Sequence, residues 1–467
     1  MSDVPLRGSN EPVKSVGIPY FPAGRPTSRT DIRTRVFLFA VWFVMFVAGL
    51  VYVERYAWTN PYVDEWDFVP VLFGEQPAGP WLWELHNEHR FPFPRLIYVC
   101  LFRLTGDLRA GCLVSFLGMS LLAGGLIALA RRLRGRAKFV DAIFPLTLMH
   151  TGQGENLYMG YQMCFMLVAV LAGALLAVIV LTGERNRFRR GLQAIVLGWL
   201  LLTCGSAGLA YGVAAAAWAV FLALTGRMPV RQRVALWLLG AVTPAYIWFY
   251  FQGYARPAHH PKSAGVWESA RVGLEAQSMA FGPAATGVGP IVGVPVLVVG
   301  LMLVALLVGA LWRYRNDWPR PVGLLLYLGA AAAVAFGIGW GRSGFLSDMG
   351  FAWRYGWIVA PALWAGYFTC VLTGGRVATY CPLVLFLVAL AVTPVNSISG
   401  FLDAERNVKP FDDAWEADVR SGRSADEVIR KHFPEYSPEV QARMAASMRL
   451  MRDRGYTYYG SLGVEEK

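Results

Sequence analysis

Long, nearly uncharged apolar runs recur from Val36 to Ile398, and they leave the chain few ways to fold. A run of about 20 apolar residues is long enough to cross a bilayer as one helix. In lipid only helices and closed barrels satisfy every backbone polar group. The runs are continuous and rich in Leu, Ala and Val rather than alternating, which excludes a β-barrel. The chain is 55% hydrophobic and 16% charged, against about 25% charged in soluble domains. The expected fold is therefore all-α, a polytopic transmembrane helix bundle of about eleven spans. These lie near 36–53, 111–130, 139–150, 163–182, 191–204, 211–225, 234–251, 290–312, 321–340, 355–373 and 380–398. The segment 91–105 is apolar too, but Pro92, Pro94, Arg95 and Arg103 interrupt it. It reads as a helix along the membrane, with a twelfth span as the alternative.

Three parts follow. Residues 1–35 are a polar, proline-scattered arm, expected to be disordered and cytoplasmic. They are too polar for a signal peptide, so the first span is uncleaved. Residues 36–398 are the bundle. Residues 399–467 are a small soluble tail. In the tail Ser424 and Glu427 form a capping box, and Ser437-Pro438 opens a second helix with Gly455 beyond its end. Two such helices bury too little to stand alone, so they are expected to pack on the bundle.

The net charge of +12 is distributed in a way that argues against nucleic acid. With the N-terminus inside, the inside segments carry 22 basic and 6 acidic residues, and the outside loops before the tail carry 10 and 12. Positive-inside sorting accounts for this pattern, and it puts the tail on the outer, periplasmic face of an inner or plasma membrane. The six cysteines lie in or beside apolar runs without a CxxC pair, as small buried hydrophobes do.

That orientation gathers the unusual polar residues on one face. The first outer loop carries Asp64, Glu65 and Asp67, then HNEHR at 86–90, between two hydrophobic spans. Ionisable groups this close to a bilayer are a default functional candidate. A carboxylate there can take a proton from a hydroxyl, and a solvated acidic patch is the plainer alternative. His86 and His89 with Glu88 can hold a divalent cation, contact a substrate or shuttle a proton, or can simply close a turn. The sequence itself requires no cofactor, and a divalent cation stays open. Arg90, Arg342 and Arg354, with Tyr355, offer forks for a phosphate. Arginines at helix ends also snorkel to headgroups. Glu155, Asn156 and Gln162 suit sugar hydroxyls or interhelical hydrogen bonds. His259 and His260 sit in a loop long enough to act as a lid.

A first span with its N-terminus inside, followed at once by a long outer loop with an acidic pair, resembles GT-C-type membrane glycosyltransferases. The resemblance covers the arrangement of 36–110 and the many-span plan. It implies a sugar taken from a polyprenyl-phosphate carrier and passed, with inversion, to a hydroxyl on a glycan, lipid or protein. By position the catalytic carboxylate maps to Asp64, with Glu65 beside it and Asp67 as the alternative. Membrane lipids are the surrounding partners. The short tail and the absence of later signature motifs depart from the better-known members. Two other readings use lipid-linked glycans as well. One is a transporter or flippase, which would bury charge at mid-span and break its helices. The other is a ligase or polymerase of the O-antigen type, which would weight Arg256 and His259–His260 above Asp64. A non-enzymatic scaffold acting through its tail is a third.

Overall fold

The computed structural model describes residues 29–257, 260–313, 317–345 and 349–463. Among them the protein is all-helical, with no strand. Eight helices are long and apolar enough to cross a membrane, which makes this a multi-pass membrane protein. All eleven expected segments contain helix, but three fall short of that standard. Arg187–Leu202 has 16 residues, about 24 Å against a hydrocarbon layer of about 30 Å. Val230–Tyr250 has 21 residues but opens with Arg231 and Arg233. The third, near 139–150, is not one helix. The segment 91–105 forms the helix Pro92–Thr105, 14 residues long and closed by Gly106 at φ +67°, too short to cross.

Two expected boundaries move. The first helix begins at Arg29, so residues 29–35, expected in the disordered arm, are helical, with Asp31 and Arg35 paired one turn apart. Residues 1–28 lie outside the described residues. At the other end, the expected tail boundary at 399 falls inside the helix Val377–Asp403. This helix runs on through a π turn, Ala404–Val408, into Lys409–Arg420. Pro410 stands directly after the π turn, at the start of Lys409–Arg420.

The segment from Phe139 to Gln162 crosses the bundle in pieces: Phe139–Ala142, Ile143–Leu148, Thr151–Gln153, Glu155–Tyr158 and Gly160–Gln162. It starts at one end of the bundle, where Asp141 meets Arg134 and Tyr367. It finishes at the other, where Trp58 N–H donates to Tyr158 O at 3.2 Å. The helix breaks at His150, whose ψ is 148°, and at Gly154, whose φ is +45°. Broken backbone at membrane depth must find partners in the protein. Trp357 Nε1 donates to Leu148 O at 3.0 Å, and Thr151 Oγ1 to Ser397 O at 2.8 Å. Gly400 lets the helix 377–403 close on the break: a Cβ there would lie 2.3 Å from Thr151 O.

Contacts sort the helix termini into two ends. At the first, the loop 57–109 meets residues 203–205, 250–253 and 260, and the segment 404–463. At the second, Arg320 donates to Thr182 O, Arg233 to Ala223 O and Trp218 to Pro319 O. The expected site residues that are described all belong to the first end.

Both tail helices form as expected. Ala425–His432 is capped by Ser424 with Glu427, and Pro438–Asp453 has Pro438 in its first turn. With Lys409–Arg420, a third helix that sequence reasoning did not resolve, they bury Trp415, Val428, Ile429 and Met448.

Candidate functional site

The acidic run lies on a 3-10 turn, Val63–Phe68, entered through Val63 at φ +46°. Successive residues of such a turn point about a third of a circle apart, so Asp64 and Glu65 diverge. Glu65 goes inward and is 2% exposed. Its Oε1 accepts Tyr161 N–H at 2.8 Å and Tyr98 O–H at 3.0 Å, and its Oε2 accepts Tyr62 N–H at 3.2 Å. Burial outweighs these donors and pushes its carboxyl up to about 7. Glu65 thus anchors the loop to the segment 155–162, and Asp64 is left part-exposed.

Asp64 meets His86. Its Oδ1 is 3.4 Å from His86 Nε2, and on the far side of the ring Asp67 Oδ2 is 3.8 Å from Nδ1. The imidazole is nearly buried at 7%, whereas Asp64 and Asp67 are 36% and 47% exposed. Phe68, Phe91 and Tyr161 wall the ring at centroid distances of 6.0, 5.7 and 5.8 Å. Burial pushes Asp64 up, but His86, Arg354 and Arg342 more than offset it and hold the carboxyl below its ordinary value. Asp64 is therefore ionised at neutral pH.

HNEHR folds back on itself. His86 and His89 exchange both backbone hydrogen bonds at 2.9 Å, with Asn87 at φ +51° in the turn. Glu88 Oε1 reaches His260 Nδ1 at 2.6 Å, tying the turn to the 252–265 loop. Desolvation raises Glu88, but its contact with His260 and the nearby His89 hold it low. Burial, with Arg342 and His86 adding, holds His89 low against the pull of Glu88. His259 lies outside the described residues. Among those residues, no three His, Cys, Asp or Glu side chains gather to hold a metal ion.

The arginines arrive from the helices that close this end. Arg342 Nε donates to Tyr355 Oη at 3.1 Å, and its guanidinium lies 5.3 Å from the Phe345 ring centre. Arg354 pairs with Glu155 at 2.8 Å, and Asn156 Nδ2 donates to Arg354 O at 3.0 Å. Both guanidiniums lie close enough to Asp64 to lower its carboxyl. Asp64 thus faces His86 and feels the charge of Arg342 and Arg354, which are held by Tyr355 and Glu155 respectively. A cleft of about 570 Å³ is lined by Trp353, next in sequence to Arg354, with Arg271, Thr286, Pro290 and Phe351. The acid–histidine group is not among its walls.

Other expected site residues are placed differently. Arg90 spends its guanidinium on the carbonyls of Trp83, Tyr250 and Gln252, clamping the loop to the end of the helix 230–250. Gln162 and Asn156 are buried at 4% and 0%, inside the broken segment. Sequence reasoning missed the tail's share of the site. Arg443 lies 3.6 Å from Asp67, and Tyr436 is near enough to Asp64 to feel its charge. The sequence carries no local mark of either, since each pairing joins residues more than 350 apart.

The arrangement offers an ionised, part-exposed carboxylate backed by an imidazole, with two guanidiniums nearby. It can remove a proton from a hydroxyl and steady a separate anionic group. No family model, curated protein or solved structure matches the chain.

Proposed function

We propose that the protein is a membrane glycosyltransferase acting at the end of the bundle that holds the first loop. The donor is a sugar on a polyprenyl-phosphate carrier, and the acceptor is a hydroxyl of a glycan, lipid or protein. Asp64 removes the acceptor proton as the oxygen attacks the anomeric carbon from the face opposite the phosphate, so configuration inverts. Arg342 and Arg354 steady the phosphate as its bond to the sugar breaks and its charge grows. The positive-inside pattern puts this chemistry on the outer face. The observation that carries the reading is the part-exposed Asp64 set 3.4 Å from the nearly buried His86, with the charges of Arg342 and Arg354 acting on its carboxyl. The test is transfer of labelled sugar from synthetic polyprenyl-phosphate sugars by purified protein in liposomes. Transfer by the wild type and its loss in Asp64→Asn support the reading. Undiminished transfer in the Asp64→Asn, Asp67→Asn double variant removes it.

A flippase for the same lipid-linked sugar is the second reading. The broken segment 139–162 favours it, because discontinuous helices lining buried polar groups are a transporter device. His150, Thr151, Gln153 and Asn156 are such groups, each at most 1% exposed. Movement of a fluorescent carrier across liposomes without sugar transfer would favour this alternative.

A further inference from the structure

We propose that Arg132, at the end of the helix Ala110–Arg134, and the first turn of the helix Arg187–Leu202 bind the phosphate of one anionic glycerophospholipid, at the end of the bundle away from the first loop. The inference does not rest on the glycosyltransferase reading. Its ground is a set of guanidiniums without a counter-charge. The helix opens on Arg187, Arg189 and Arg190, with no acid in its first turn and no side chain capping it. Cations are disfavoured there, because the helix dipole already puts positive charge at an N-terminus. Among the described residues none of the four arginines has a carboxylate within ion-pair distance, and Asp317, whose carboxyl feels Arg187, is held by Arg320 at 3.0 Å.

An exposed arginine at a helix end needs no ligand, since it can snorkel to the headgroups, and Arg189 alone would call for no more. Arg190 is different. It is 9% exposed, and its Nε is buried without a hydrogen bond, as is that of Arg187. Burying a guanidinium is costly unless an opposite charge meets it. Arg190 Nη1 donates to Gln193 Oε1 at 2.9 Å, which brings the guanidinium round to the face that carries Gln193. Burial, then the charges of Arg189 and Arg132, hold it below its ordinary value. The helix Met163–Val180 packs against both neighbouring helices, so Arg132 and Arg190 come from the two helices that flank it. A phosphate accepting from these forks supplies the missing charge, and a helix N-terminus favours an anion in the same place.

The helix face identifies the phosphate as a lipid's. Arg189, Leu192, Gln193 and Val196 follow the i, i+3, i+4, i+7 spacing of a single face, and all four are exposed. Leu192 and Val196 continue that face into the membrane, where hydrocarbon covers them. A phosphodiester seated at Arg189 and Arg190 lays its acyl chains along this stripe. The helix is about 24 Å long against about 30 Å of hydrocarbon, which draws its first turn to the depth of the phosphates. The absence of a nearby carboxylate selects the headgroup. A zwitterionic lipid brings an ammonium into a cluster that has nothing to pair it with, whereas a phosphatidylglycerol-type headgroup brings only negative charge.

The experiment measures lipid binding by the full chain, delipidated in detergent, with native mass spectrometry. Dioleoyl-phosphatidylglycerol, dioleoyl-phosphatidylcholine and inorganic phosphate are the probes. The wild type should retain one phosphatidylglycerol and hold phosphatidylcholine on the order of 10-fold more weakly. Arg132→Gln with Arg189→Gln, both at exposed positions, should weaken phosphatidylglycerol on the order of 10-fold. Arg227→Gln with Arg231→Gln removes the same charge from the neighbouring loop and should leave that binding unchanged. Equal loss in the two double variants would mean that the basic surface attracts anionic lipid without a site, and would overturn the proposal. Equal retention of the two lipids would overturn it too, as would displacement of the lipid by inorganic phosphate, which would make this a site for a free anion. A second measurement separates binding from packing. Phosphatidylglycerol should raise the melting temperature of the wild type. Arg190→Met removes a buried charge, so it should melt no lower than the delipidated wild type, and it should lose that rise. A lower melting temperature with the rise retained would assign Arg190 to packing and remove the lipid site.

Discussion

Glu65 Oε1 accepts the backbone N–H of Tyr161 at 2.8 Å across 96 positions of sequence, while Asp64, next to it in the chain, stays part-exposed against His86. The acidic pair is therefore two residues with two jobs. Asp64→Asn should leave the melting temperature of the purified protein nearly unchanged and abolish transfer. Glu65→Ala should leave the N–H of Tyr161 buried without an acceptor, at about 1–3 kcal/mol, leave the hydroxyl of Tyr98 only its long contact to Leu108 O at 3.5 Å, and lower the melting temperature several degrees. Equal destabilisation by the two variants would mean that both carboxylates are structural.

Glu65 also sets a pH dependence. Its carboxyl rises from 4.5 to about 7 on folding, so the folded state binds its proton more tightly than the unfolded chain does. The associated stabilisation is fully present below 4.5 and is lost as pH rises through about 7. At 1.36 kcal/mol per unit, the span is about 3 kcal/mol. Melting temperature in detergent should fall between pH 5 and pH 8, and Glu65→Gln should flatten that fall. An identical slope in the variant would assign the dependence to other groups.

How much of this was legible from the chain alone depends on distance. The helices were, because an apolar run announces itself within twenty residues. The first loop was too, because its charges stand beside a span. Which acid points inward was not, since the answer lies in a backbone N–H contributed by Tyr161. Arg90 looked like a phosphate fork. Its guanidinium is instead satisfied by carbonyls at 250 and 252, which no local pattern reveals. The broken segment was read as a short span because its polar residues, from His150 to Gln162, resemble a surface loop until the helix 377–403 is laid against them.

Asn60 joins the loop to the tail. Its Oδ1 accepts the hydroxyls of Tyr458 and Tyr459, and its Nδ2 donates to Asp412 at 2.7 Å. Trp66 and Trp415 pack beside it with centroids 5.7 Å apart. The tail should therefore be part of the site's frame rather than a detachable module. Deleting residues 409–467 is expected to abolish transfer. Asn60→Ala should lower stability by about 1–3 kcal/mol for each buried group left unpaired. A truncated protein with full transfer and unchanged melting would disconnect the tail from the site and return it to a partner-binding role.

Arg342 has no carboxylate within ion-pair distance among the described residues, whereas Arg354 is paired with Glu155 at 2.8 Å. The two should respond differently to removal. If the proposed function holds, Arg342→Gln takes away a charged hydrogen bond to the donor phosphate worth about 1.5–3 kcal/mol, so kcat/KM for the donor should fall on the order of 10- to 100-fold with stability kept. Arg354→Gln should also cost stability, because it leaves Glu155 charged and half-buried. A Glu155→Gln change made together with Arg354→Gln should recover stability without recovering transfer. Recovery of both would restrict Arg354 to a structural role.

Sidedness joins the sequence to the mechanism, and labelling can test it directly. The contacts place Glu75 and Glu439 at the end with the site, and Glu184, Arg227 and Arg376 at the other, all exposed. In a variant with its six cysteines replaced, single cysteines at these five positions can be probed in intact cells with a membrane-impermeant maleimide. The first two should label and the other three should label only after the membrane is opened. Because the segment 139–162 runs from one end to the other in short pieces, the pattern also tests whether it counts as a crossing. If it did not cross, the helix Ala110–Arg134 and the helix Met163–Val180 would have to enter from opposite sides, and Glu75 and Glu184 would label together. A clean two-group pattern of reversed sign would keep the fold and move the carboxylate to the cytosolic face. There positive-inside sorting would be violated at every basic loop from 131 to 376, and a donor assembled for outer-face use could not reach Asp64.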